Sequence, residues 1–103
     1  MSTPTYRFTA PLWEWGGRAS WFFVTVPEAA SDEIDEITTL TAGGFGSVRV
    51  QVTVASTTWM TSLFPSKQEA AYVMPIKKAV RVAEGLEPGD DVAVMIELAH
   101  HSS

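Results

Sequence analysis

Toward the end of the chain the apolar positions change period. Ile76, Ala79, Val80 and Ala83 fall at offsets of three, four and seven, one stripe of a helix, with Lys77, Lys78, Arg81 and Glu84 off it. Pro75 suits the first helical position, where its missing N–H has no partner to lose. Gly85 stands where a left-handed residue closes a helix, and Leu86 supplies the apolar contact that accompanies such a cap. Glu87-Pro88-Gly89-Asp90 then reads as a type II turn, with proline presetting the first central dihedral and glycine accepting the positive φ of the second. Beyond it Val92, Val94, Ile96 and Leu98 alternate with Asp91, Ala93, Met95 and Glu97, the pattern of a strand with one buried face.

The same period of two recurs earlier. Tyr6, Phe8 and Ala10 alternate with Arg7 and Thr9, and Pro11 with Gly16-Gly17 brackets Leu12-Trp13-Glu14-Trp15, a strand entering a hairpin. From Ala19 to Val26 both alternating sets are largely apolar, which predicts a strand covered on both faces. After Pro27, the spacing of Ala30, Ile34 and Ile37 within acidic Glu28 to Glu36 predicts a short amphipathic helix, followed by a Gly43-Gly44-Phe45-Gly46 connection. Those glycines match no phosphate-loop spacing. Val48 to Val54 alternates cleanly, and a tight turn at Ser56-Thr57 leads into Thr58–Phe64, with a further short strand over Ala71–Met74. Six short strands laid flat would leave two exposed edges. The expected fold is therefore mainly β, a small six-stranded closed or double-split β-barrel with two short helices.

Composition narrows the function more than it defines it. The 103 residues suit a single domain that buries roughly two-thirds of its unfolded surface. With 46% hydrophobic and 18% charged residues and no long apolar run, the chain reads as globular and not membrane-spanning. Met1-Ser-Thr-Pro-Thr5 lacks the features of a secretory signal and there is no cysteine, so the expected location is cytoplasmic. Seven basic residues against twelve acidic ones, net −5, disfavour nucleic acid as a partner.

Val26-Pro27, Thr61-Ser-Leu-Phe-Pro65, Met74-Pro-Ile-Lys-Lys-Ala-Val-Arg81, Gly85-Leu-Glu-Pro-Gly-Asp90 and Val92-Ala-Val together resemble the pattern of the DUF1905 family over nearly the whole chain. The resemblance implies a six-stranded double-split barrel and carries no biochemical activity with it. Some members add a C-terminal helical region, which is not expected here because the sequence ends at Ser103, soon after the last strand. The Ser56-Thr57-Thr58 turn departs from the glycine- or asparagine-bearing turn expected of the family. More remotely, the helix and the Pro-Gly-Asp stretch are similar to a segment of the AbrB/MazE-type DNA-binding barrels, which are intertwined dimers.

Two groups of residues could carry binding. Lys77, Lys78 and Arg81 gather positive charge at the start of a helix, where the dipole opposes it; the alternatives are an anion site and a solvated face relieved by an Arg81–Glu84 pair. Trp13, Trp15, Trp21 and Trp59 make the chain unusually aromatic; most such residues fill a core or plug a barrel end, whereas Trp13 and Trp15 beside Gly16-Gly17 would form a stacking platform. Ser62 lies near Trp59 on a strand, with no histidine placed to activate it. His100 and His101 form a poor metal site, whether native tail or tag remnant, and Asp32, Glu33, Asp35 and Glu36 read as a solubilising helix face. No catalytic, metal or cofactor constellation emerges. The candidate ligand-binding residues are Trp13, Trp15, Trp59, Ser62, Lys77, Lys78 and Arg81, serving a small anionic or aromatic ligand or a protein partner; a self-associating homodimer is the main alternative, ahead of a DNA-binding barrel or a pocket enzyme using Ser62, Lys77 or an acidic residue.

Overall fold

The computed structural model describes residues 5–16, 21–42 and 46–98. In chain order the elements are β1 (Thr5–Pro11), β2 (Trp13–Trp15), β3 (Trp21–Thr25), α1 (Glu28–Ala42), β4 (Val48–Val54), β5 (Thr57–Ser66), β6 (Ala71–Pro75), α2 (Lys78–Glu84) and β7 (Asp91–Leu98). Every ladder is antiparallel, and the strand order is β1-β7-β4-β5-β6-β3-β2. Gly17, the Ala19-Ser20 start expected for the third strand, the Gly43-Gly44-Phe45 connection, and His100 and His101 lie outside the described residues.

The sheet is a curled, open half-barrel of seven strands, not the closed six-stranded barrel that the pattern predicted. Leu12 makes the difference. Its N–H donates to the Asp90 carbonyl (2.9 Å) and its own carbonyl accepts from the Gly89 N–H (2.8 Å). Up to Pro11 the chain pairs with β7; from Trp13 it pairs with β3. One run of alternating residues is thus split between the two ends of the sheet. No ladder joins β1 to β3 among the described residues, so the edges stay open although β1 and β2 are consecutive.

The concave face holds the core. Val50, Val52 and Val54 of β4 lie opposite Leu98, Ile96 and Val94 of β7, and all six are buried. Val24, Val26, Leu63, Met74 and Ile76 complete the far side, and Ile34 of α1 enters the same core with no exposed surface. Ala30 and Ile37 pack beside it, as their spacing predicts. α1 is fastened by one buried polar residue. The Ser31 hydroxyl donates to the Val26 carbonyl (3.0 Å) and accepts the Tyr72 N–H (3.0 Å).

The helices depart from expectation in extent. α1 runs to Ala42, well past Glu36. The Thr38 hydroxyl bonds back to the Ile34 carbonyl (2.9 Å), satisfying a β-branched polar residue inside the helix. Pro75 ends β6 opposite Phe23 and does not open α2, which begins at Lys78 and buries Val80 while Ala79 and Ala83 stay exposed. At its end the sequence reading holds. Gly85 is left-handed (φ 63°), with Gly85 N–H to Val82 O and Leu86 N–H to Arg81 O. The turn after it closes through Asp90 N–H to Glu87 O (2.9 Å), with Gly89 at φ 93°. The β4–β5 turn sits at Ala55-Ser56, one residue earlier than expected, with Ala55 at φ 52°.

Two substitutions check this core. Val94→Asp, between Phe8 and Val54, puts an unpaired carboxylate where the side chain is 3% exposed; circular dichroism should show an unfolded chain at 25 °C. Ser31→Ala strands two buried backbone groups and should lower stability in urea melts by about 1–3 kcal/mol without changing the fold.

Candidate functional site

Residues directly opposite in an antiparallel ladder share a face, so the registers define what lies outside the half-barrel. Trp15 faces Trp21, Trp13 faces Phe23 and then Pro75, and Thr25 faces Val73 and then Phe64. These rows form a convex aromatic surface across β2, β3, β6 and β5. Trp15 is 51% exposed, Trp21 52% and Phe64 45%; Met60, four residues before Phe64 on the same side of β5, is also exposed. β3 therefore lacks the cover on both faces that its composition predicted.

The surface is built on a fixed floor. The Trp13 and Phe23 ring centres lie 5.1 Å apart at 34°, and Trp21 stacks on Phe23 at 6.3 Å with planes 12° apart. The Trp13 Nε1–H donates to Thr25 Oγ1 (2.9 Å), and the Thr25 hydroxyl donates to Glu69 Oε1 (3.2 Å). The Glu69 N–H in turn reaches Ser66 Oγ (3.2 Å). This chain of donors holds the Trp13 indole in one orientation, while Trp15 and Trp21 project beyond it.

The residues singled out in the sequence do not all meet. Trp13 and Trp15 share the outer face, and Ser62 lies on the same side of β5, with β3 and β6 between, opposite Arg49. Trp59, opposite Val52, packs against the core on the other side of the sheet. Lys77 and Lys78 are exposed at the start of α2. Arg81 turns elsewhere: its Nε–H donates to the Ile76 carbonyl (3.2 Å), and its guanidinium lies 3.8 Å from the centre of the Phe22 ring, a cation–π contact. Glu84 is not its partner, because the carboxylate accepts from Thr57 Oγ1 (2.7 Å) and Ser56 Oγ (3.1 Å). Sequence reasoning left Trp21, Phe23, Phe64 and Met60 out of the site. The available signal was the hairpin itself, since a turn after Trp15 puts Trp21 opposite an indole already expected to be exposed.

Among the described residues three groups have shifted titration. Burial first, then the nearby Glu33 charge, raise the Tyr6 hydroxyl above the usual tyrosine range. Glu33 acts there through its charge, since no hydrogen bond of ordinary geometry reaches that oxygen among the described residues. Burial also raises Tyr72, opposed by a hydrogen bond with Thr38 and reinforced by Asp35, whose Oδ1 accepts the hydroxyl at 3.3 Å. Glu84 moves the other way. The Thr57 hydrogen bond is the largest cause and lowers it, desolvation opposes, and Ser56 adds to the lowering. Among the described residues no group of three or more His, Cys, Asp or Glu side chains is placed to hold a metal. A shallow depression lined by Arg7, Thr9, Thr53 and Met95 lies on the outer face of the opposite wing, away from every candidate above.

An antiparallel half-barrel with two helices, and with several aromatic residues turned outward on one wing, is a small mainly β domain. The chain belongs to the DUF1905 family: the model described as "Domain of unknown function (DUF1905)" matches residues 8–96. A comparison with curated proteins returns no match. Among the described residues, no helix is long and apolar enough to cross a membrane.

The Glu84 contact has a sign that can be checked. A carboxyl held below its ordinary pKa in the folded state adds stability while it is ionised in both states. That contribution is present above the ordinary glutamate value and is lost as pH falls through the depressed one. Carboxyl NMR should give Glu84 a midpoint below that of an unperturbed glutamate, and Thr57→Val should return it most of the way.

Proposed function

We propose that this domain is a non-enzymatic protein-interaction module whose contact surface is the convex face of β2, β3, β6 and β5. One observation supports the reading above the rest: Trp15, Trp21 and Phe64, three large apolar side chains each about half exposed, lie on the same face of one wing. Aromatic residues of this kind bury large areas at little cost in side-chain freedom and dominate interface energetics. A contiguous exposed apolar patch on a small domain is a mark of association. The Trp13–Thr25–Glu69 chain adds preorganisation, since a partner meeting this floor need not immobilise it. A small-ligand site at Lys77, Lys78 and Arg81 has less support, because Arg81 is occupied by Phe22 and the Ile76 carbonyl.

Site-specific photo-crosslinking in cells tests this. A benzophenone side chain in place of Trp21 should give a discrete adduct with another protein, and the same group in place of Thr53, on the opposite wing, should not. Equal labelling from both positions, or none from position 21, would contradict the reading. An adduct at twice the chain mass would turn it toward the homodimer.

A further inference from the structure

We infer that the free edge of β2 accepts an extended strand from a partner protein, with a basic residue opposite Glu14 and apolar residues on either side of it. The inference rests on the reading of this wing as a contact surface and names the partner's chemistry. Among the described residues β2 pairs with β3 alone; the alternation of the ladder turns the Trp13 and Trp15 backbone toward β3 and leaves the Glu14 N–H and C=O on the other edge, open to an added strand. Of the sheet's two edges, β1 lies close to β3 across the gap in the half-barrel, whereas β2 lies at the outer margin of the aromatic wing. Trp13 and Trp15 project on one side of the strand and Glu14 on the other, where it stands opposite Phe22 and exposed to solvent. A strand laid along this edge places one residue beside Glu14, and its two neighbours beside the indoles.

Charge decides among occupants. A second copy pairing antiparallel about the centre of β2 would set Glu14 directly against Glu14, and like charges so placed destabilise a sheet. The net charge of −5 adds to the repulsion between copies. A lysine or arginine at that position instead gains a cross-strand ion pair, and small apolar neighbours cover Trp13 and Trp15. Glu14 thus opposes self-pairing at the edge and selects a foreign strand that carries a cation.

Two blocked pentapeptides test this by titration of the full chain, followed through tryptophan fluorescence. Both carry valines flanking the central residue, which is lysine in one and glutamate in the other. The lysine peptide should bind the wild type roughly fivefold or more tightly than the glutamate peptide. Glu14→Lys should reverse that order, and N-methylation of the peptide's ladder-forming amides should abolish binding. An unreversed preference, an N-methylated peptide that binds as well as its parent, or no binding at millimolar concentration would overturn the inference. If the peptides fail while the crosslink from position 21 remains, the aromatic face stands and the strand addition falls. If both fail, the interaction reading falls with it.

Discussion

A pair of backbone hydrogen bonds at Leu12 sets the form of this domain. With its N–H on Asp90 and its carbonyl taken by Gly89, Leu12 ties the turn before β7 to the point where the first strand leaves β7 for β3. The side chain is itself buried, so the corner is fixed by packing as well as by its backbone. One strand therefore serves both ends of the sheet, and the sheet must curl. The curl gathers the valines of β4 and β7 with Leu63, Met74 and Ile34 into a single interior. It also leaves Trp15 and Trp21 on the convex side of β2 and β3, each about half exposed.

The exposed wing is rigid below and free above. Trp13 and Phe23 are locked by stacking and by Thr25 and Glu69, and α2 is anchored by Arg81 over Phe22 from the concave side. The two faces of β3 thus have opposite fates: Phe22 and Val24 are held inside, and Trp21 is left to solvent. If this wing is the contact face proposed above, a partner is spared the cost of ordering Trp13 and Phe23. No comparable arrangement surrounds Ser62, which lies between the exposed Met60 and Phe64 with Arg49 opposite it.

Much of the fold was legible because local chemistry and tertiary structure agree over long stretches. The Gly85 cap, the Pro88-Gly89 turn and the alternation of β4 and β7 each depend on nearby residues, and each appears where the pattern puts it. The misreadings share a cause in long-range contacts. Nothing local marks Leu12 as a corner, because its partners lie near residue 90. Pro75 has the dihedral preference of a helix start, yet it is drawn into the end of β6 by pairing with Phe23. The threonines after Ile37 have poor helix propensity and hid the last turns of α1, although Thr38 satisfies its hydroxyl within the helix. The Ala55-Ser56 turn has no glycine, asparagine or proline and holds an alanine at positive φ, so its register could not be read from composition. For the site, Trp13 and Trp15 were visible as a pair beside a turn, while Trp21 looked like core because both alternating sets of its strand are largely apolar.

Amide hydrogen exchange along residues 10–16 probes the corner and the open edge together. The Leu12 and Gly89 amides, both in the hydrogen bonds that bend the sheet, should be protected to a degree close to that of the central strand β4. The Glu14 amide, which points away from β3, should exchange orders of magnitude faster. A fast-exchanging Leu12, or uniform protection through all of β1 and β2, would mean that the sheet is not bent there or that its edge is already covered, and the proposed contact surface would fall with it.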